Sequence, residues 1–322
     1  MQTRARRVTL AGGAGRSVLA AASDALFPFF DTREAAQALR GVCREFAGAV
    51  ARHAWDDRET LIKGSIAAWR ASFPHAKAAN VSMADYALAR RTISVVDADF
   101  VHFEGLQFLN MTSCRLVTDA AFAHLKGIRE LSMYRCNQMA ITDAAFANLK
   151  GIHFLNMGCC NQATITDAAF ANLKGIHTLV MNGCNQAAIT DAAFACLKGI
   201  RVLGMIRCNQ ATITDAAFVN LKGIHLLNIN GCNQATITDA AFEQFKGINT
   251  LYMSNCNQVS ITNAAFTHLD GIHTLSMRNC CQATITGATF SHLVGANVAM
   301  AGCSAAVIAA ALLAGLNVNL TG

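Results

Sequence analysis

One residue spacing rules most of this 322-residue chain. Cys136, Cys160, Cys184, Cys208, Cys232, Cys256 and Cys280 stand 24 apart. Phe122, Phe146, Phe170, Phe194, Phe218, Phe242, Phe266 and Phe290 keep the same step, as do Gly127, Gly151, Gly175, Gly199, Gly223, Gly247, Gly271 and Gly295. A fixed period of this length implies a stack of like units, because one unit cannot bury its own apolar side and stacked units can. The ends are less regular: Cys114 to Cys136 is two residues short of the period and Cys280 to Cys303 one short. End units must cover an exposed core face, so irregularity is expected there.

Residues 141–160 show what one unit does. Thr142 or Asp143 can cap a helix by accepting from a free backbone N–H. Ala144 to Leu149 favour a short helix with Phe146 and Leu149 on one face. Gly151 suits the left-handed position that stops it. Leu155 and Met157 then alternate as in a short strand with one buried face, and Cys160 ends it. Stacking predicts roughly ten parallel rungs about 4.8 Å apart, with strands on one surface and helices on the other.

The frame I-x-x-L-x-M-x-x-C, as in Ile176, Leu179, Met181 and Cys184, resembles the leucine-rich repeat over about 97 to 303. The cysteine followed closely by I-T-D is similar to the cysteine-containing subclass found in many F-box proteins. The resemblance implies an α/β, right-handed leucine-rich-repeat solenoid, a horseshoe.

The thirteen cysteines form no C-x-x-C pair, and each unit supplies one ladder sulfur. A packing role as a small hydrophobe is therefore expected, not metal binding. Buried thiols in register predict a reducing intracellular location, cytoplasmic or nuclear. The Asn and Gln of C-N-Q are expected to bond turn backbone between rungs. Arg129, His153, His177, Arg201, His225, Asn249 and His273 make a polar row. It is either a product of repeat copying or a basic rail for an acidic partner or phosphates.

Frame positions hardly change between units, whereas positions expected to point out of the strands change freely. A protein partner is expected on the concave face at Glu130, Tyr134, Arg135, Phe154, Asn156, Val180, Asn182, Val202, Ile206, Arg207, Leu226, Asn228, Asn230, Tyr252, Ser276 and Arg278. An apolar path ringed by arginines is the usual make-up of a binding patch.

Ahead of the repeats, residues 1–17 are expected to be flexible, and their A-G-G-A-G-R-S lacks the lysine of a phosphate loop. Helices are expected from Val18. Asp31 and Glu34 form a capping arrangement opening a second one, with apolar face Ala35, Leu39, Val42, Cys43, Phe46 and Val50. A third is expected over Glu59 to Ser72. Residues 23–50 with Trp55 resemble an F-box, through Leu39, Arg40, Val42, Cys43, Arg44, Phe46 and Trp55. That resemblance implies a Skp-type adaptor held by Phe27, Pro28, Phe29, Leu39, Val42, Cys43 and Phe46. It implies a substrate receptor of a cullin-type ubiquitin ligase. The alternative is a leucine-rich-repeat scaffold or effector in which the helices only cap the first rung. The expected organisation is 1–17, a helical domain 18–76, a solenoid 77–303 and a capping repeat 304–322.

Composition bounds the function. With 53% hydrophobic and 14% charged residues the chain is not disordered, and a net charge of +6 allows nucleic-acid contact without arguing for it, so neither a nucleic-acid nor a membrane partner is expected. No apolar run reaches the roughly 18 residues that span a bilayer. No nucleophile–base set, phosphate loop or metal spacing occurs, so an enzyme and a cofactor are not expected. A monomer is.

Overall fold

The computed structural model describes Phe27 and residues 30–34, 39–42, 44–83 and 94–321. The expectations for residues 1–17, the helix from Val18, Ala35, Pro28, Phe29 and Cys43 fall outside them.

Eleven three-residue strands form one parallel sheet in chain order. They are β1 (Ala78–Asn80), β2 (Phe108–Asn110), β3 (Glu130–Ser132), β4 (Phe154–Asn156), β5 (Thr178–Val180) and β6 (Val202–Gly204). There follow β7 (Leu226–Asn228), β8 (Thr250–Tyr252), β9 (Thr274–Ser276), β10 (Asn297–Ala299) and β11 (Asn317–Asn319). From β1 to β10 each central residue, such as Leu155 or Leu203, is buried and pairs with the same position of the next rung, while Val318 of β11 is half-buried at the sheet edge. Short strands suffice because each rung is held on both sides.

The return path is also as the residues dictate. Thr142 caps the turn Asp143–Phe146, its hydroxyl accepting from Ala144 N, and a tighter 3₁₀ turn follows over Ala147–Leu149. Gly151 then takes φ +82°, a left-handed value that costs a residue without Cβ nothing. Phe146, Leu149, Ile152, Leu155, Met157 and Cys160 all point into the core.

Polar ladders tie the rungs. Each buried thiol donates to a carbonyl one rung back, as Cys184 Sγ to Met157 O at 3.1 Å and Cys208 Sγ to Met181 O at 3.1 Å. Burial pushes the Cys136, Cys208 and Cys256 thiols up to about 12, and Cys160, Cys184, Cys232 and Cys280 also upward. Such thiols are packing groups with no thiolate to react. Asn161, Asn185, Asn209 and Asn233 each accept from the backbone N–H of the next rung at 2.6–2.7 Å. Gln162 and Gln186 donate to Cys136 O and Cys160 O. The asparagines and the glutamines of the first rungs thus bond turn backbone, as their recurrence predicts, whereas the buried amides of Gln210, Gln234, Gln258 and Gln282 make no hydrogen bond.

The N-terminal helices close the first rung. Helix α1 (Arg44–Arg52) leads to Trp55, which is buried, donates from Nε1 to Val50 O and packs against Phe27 and Phe73. Helix α2 (Ile66–Ser72) is shorter than the sequence suggests. Residues 59–62 are instead drawn beside β1: Leu61 bridges Asn80, and Ile62 N donates to Asn80 O at 2.9 Å. That pairing covers a sheet edge that would otherwise be open. Burial would raise the Asp57 carboxyl, but hydrogen bonds from Thr60 and Thr32 outweigh it and hold the group below its usual range. Asp31 and Glu34 cap each other as expected. Of the second helix, Thr32–Glu34 and α1 are helical among the described residues, Leu39 lies in a π-helical turn, Arg40 to Val42 turn ahead of α1, and Val42 is 64% exposed instead of buried. At the far end α3 (Ala305–Leu313), capped by Ser304, leads to β11.

Candidate interaction surface

The register sorts the outward side chains into rows across the rungs. Entry positions of the strands carry Glu130, Phe154, Thr178, Val202, Leu226, Thr250 and Thr274. Exit positions carry Ser132, Asn156, Val180, Gly204, Asn228, Tyr252 and Ser276. One buried residue later comes a third row with Tyr134, Asn182, Ile206, Asn230 and Arg278, all half-buried. Phe154, Val180, Val202, Leu226 and Tyr252 are likewise half-buried on the sheet face, where the sequence places them.

Arg135 and Arg207 are not on that face. The strands end after three residues, and both arginines sit in the following turn with φ +59° and +56°. Gly183, Gly231, Asn255 and Asn279 stand at the same step with φ between +56° and +68°. The turn rotates the two guanidinium groups to the C-terminal edge of the sheet. Arg135 lies over the Tyr134 ring at 5.2 Å. Gly158 makes room for that ring, since a Cβ there would come within 2.9 Å of it. Gly231 likewise lets the Arg207 stem lie across the next rung, at 3.1 Å from where a Cβ would be.

These edges enclose a trough of about 720 Å³, lined by Tyr134, Cys159, Asn182, Ile206, Arg207 and Asn230 among others. Its polar groups are biased toward donors. Asn182 Oδ1 accepts from Ile206 N at 2.9 Å, and Asn230 Oδ1 from Ser254 N at 2.7 Å. Asn156 and Asn228 accept from Gly158 N and Asn230 N. With the oxygens used by the backbone, the Nδ2 amides face outward as donors. The hydrogen bond with Cys159, then burial, push the Tyr134 phenol above its ordinary range, and because the Cys159 thiol donates in that bond the phenol O–H is left as another donor.

Two expected contact residues are already engaged. Glu130 accepts two hydrogen bonds from Arg58, at 2.6 and 3.1 Å, and Arg58 also covers the Phe108 ring at 4.7 Å. Nothing local in the sequence signals a pair 72 positions apart. Ser276 is buried and shares a 2.9 Å hydrogen bond with Ser254. The surface is therefore apolar in the middle, donor-rich at one edge, and its one strand-face carboxylate is neutralised.

Of the positions expected to meet an adaptor, Phe27 is buried against His53 and Trp55, Leu39 and Phe46 are half-buried, and Val42 is exposed. The histidine row stands at the opposite, N-terminal edge of the sheet. His153, His177, His225 and His273 are exposed, and the first two rings lie 5.1 Å apart, edge to face. The Lys126, Lys150, Lys174, Lys198, Lys222 and Lys246 side chains, all exposed, run beside it. Among the described residues, no group of three His, Cys, Asp or Glu side chains could hold a metal ion, and no helix is long and apolar enough to cross a membrane.

No family model matches the chain, and no curated protein matches it in sequence. Solved structures match its fold. The complex of Toll with Spatzle from Drosophila aligns at TM-score 0.54 and 10% identity, over 79% of this chain and 41% of that one. The complex of TLR13 with ssRNA13 aligns at 0.60 and 15%, over 83% and 38%. An internalin from Listeria monocytogenes aligns at 0.53 and 20%, over 75% and 65%. The chain spans less than two thirds of each of these structures. It has the leucine-rich-repeat fold, a right-handed α/β horseshoe built on one parallel sheet.

Proposed function

We propose that the solenoid is a protein-binding module that takes its partner on the concave sheet face and the adjoining trough. One observation carries the reading. An apolar centre of Phe154, Val180, Val202, Leu226 and Tyr252 adjoins the unpartnered amides of Asn182 and Asn230 and the Arg207 guanidinium. Binding energy concentrates in such aromatic and apolar anchors, and rim donors set specificity. The partner that fits has apolar anchors bordered by carboxylates or carbonyls. The ligands in two of the similar structures, Spatzle and ssRNA13, are macromolecules, which supports a macromolecular partner in general. Replacing Phe154, Val202 and Tyr252 together by Asp should abolish partner capture from a cell extract, with circular dichroism unchanged. A Phe154→Ser/Tyr252→Ser variant should weaken it. Undiminished capture by folded variants would overturn the assignment.

The finer reading, a substrate receptor of a Skp- and cullin-type ubiquitin ligase, draws on the F-box resemblance and on Val42, an apolar side chain 64% exposed. The reduced thiol ladder supports an intracellular setting. In the same capture experiment the full chain should retain a Skp-type adaptor and Val42→Asp should lose it. If the intact chain retains none, the helices serve as a cap alone.

A further inference from the structure

The repeat frame hides a segregation of charge. Residues 94–321 hold twelve Lys and Arg against twelve Asp and Glu, so this stretch is neutral overall. The two signs are not mixed. From Asp119 to Asp239 every frame aspartate stands at the start of its helical turn and spends both carboxylate oxygens on the next rung's threonine, as Asp167 on Thr190 at 2.7 and 2.6 Å. The frame lysines stand seven residues later, at the other end of the turn. That is about 11 Å of helix, beyond the roughly 8–10 Å over which exposed charges feel each other in physiological salt. None of the six lysines has an ion-pair partner among the described residues.

The fold does not require lysine there. Glu104, Asp270 and Val294 occupy the same place, just before a left-handed glycine, in other rungs. Glu104 and Asp270 bound the lysine row and are paired with His124 at 2.7 Å and His292 at 2.9 Å. Glu130 is held by Arg58, and the exposed Glu243 lies near Lys246 at one end. Among the described residues the row therefore faces no free acid between Lys126 and Lys222.

Density and shape specify the ligand. Six lysines with Arg129 and Arg201 give eight fixed positive charges over six rungs. At about 4.8 Å per rung this is one charge per roughly 3–4 Å, close to the about 3.4 Å of a single nucleic-acid strand. The strand-entry residues are pinned from rung to rung, His177 N to His153 O at 3.0 Å and Arg201 N to His177 O at 3.0 Å. They set flat imidazole and guanidinium groups beside the lysines, and flat groups beside a cationic track are what unpaired bases stack on. We propose that this N-terminal edge of the sheet binds single-stranded nucleic acid lengthwise, phosphates along the lysine row and bases against His153, His177, Arg129 and Arg201. It is separate from the concave protein site.

The test is fluorescence anisotropy of the full chain with a labelled oligothymidylate of about 20 nucleotides, spanning more than the rail. Affinity should fall with salt on a log–log slope of about −0.7 for each phosphate neutralised. Lys150→Gln/Lys174→Gln/Lys198→Gln/Lys222→Gln should flatten the slope by roughly 3 and cut affinity about a thousandfold near 50 mM salt. Its melting curve should match the parent. Arg135→Gln/Arg207→Gln, at the opposite edge, should leave the slope unchanged. Absent binding, an unaltered slope in the lysine variant, or a loss caused by the arginine pair would overturn the proposal. So would equal displacement by polyglutamate of matched charge, which would make the rail a site for acidic peptide.

Discussion

Phe218→Ala is expected to cost about 3–5 kcal/mol, the usual loss for emptying a fully buried phenylalanine site. Phe218 is wholly buried. Its ring meets Phe194 at 6.3 Å on one side and Phe245, edge to face, at 5.5 Å on the other. Phe245 stands where neighbouring units carry Leu197 and Leu221 and also meets Phe242 at 5.4 Å. The cavity would thus open in the densest aromatic contact of the stack, and with rungs on both sides pinned the walls cannot collapse into it. In a solenoid each unit touches only its neighbours, so stability is a sum of unit and interface contributions. The loss should therefore be local. Urea unfolding should separate into two steps, and amide exchange around β7 should speed up by about two to four orders of magnitude while β2 stays protected. A uniform loss at all rungs would show that the stack unfolds as one unit. A cost under about 1 kcal/mol would contradict the packing account.

The period by itself makes this architecture legible in the sequence. A buried Phe, Leu, Ile, Leu, Met and Cys recur at the same step, and one repeat's chemistry predicts the next. The strand face is legible for the same reason, since positions free of packing vary. What misplaces Arg135 and Arg207 is strand length. Alternation continues past Leu155 to Met157, but the hydrogen-bonded strand ends at Asn156. The glycines and asparagines at 183, 231, 255 and 279 are the available signal, because these residues favour φ above zero. Contacts with no period are not legible. The Arg58–Glu130 pair and the pairing of Leu61 with Asn80 join the helical unit to the rungs, and neither leaves a pattern in the sequence. The lysine row is hidden for the opposite reason: as an invariant part of the frame it reads as scaffold, and only the three-dimensional separation from the aspartates gives it a field.

Asp191→Ala should cost about 2–4 kcal/mol, the value of two charge-assisted hydrogen bonds reduced for a half-exposed carboxylate. Asp191 accepts from Thr214 N and from Thr214 Oγ1, both at 2.7 Å. The second bond matters twice. With its proton committed to the carboxylate, the Thr214 hydroxyl turns a lone pair to Ala216 N at 3.2 Å and so caps the next helical turn. Removing the carboxylate leaves a backbone N–H without its partner and frees the cap to rotate. Asp191→Asn is the sharper test, because the chain already contains it one rung from the end of the ladder. Asn263 accepts from Thr286 N at 3.0 Å but donates from Nδ2 to Thr286 Oγ1 at 2.8 Å. That hydroxyl is an acceptor where the others are donors, and the helical turn after it, Phe290–Leu293, starts without a side-chain cap. The Asn variant should fall between parent and Ala in urea midpoint, by about 1 kcal/mol, with faster exchange at Ala216. Asn and Ala variants of equal stability would mean that the ladder works by backbone spacing alone, and an Ala variant as stable as the parent would remove the ladder from the account of what holds the rungs in register.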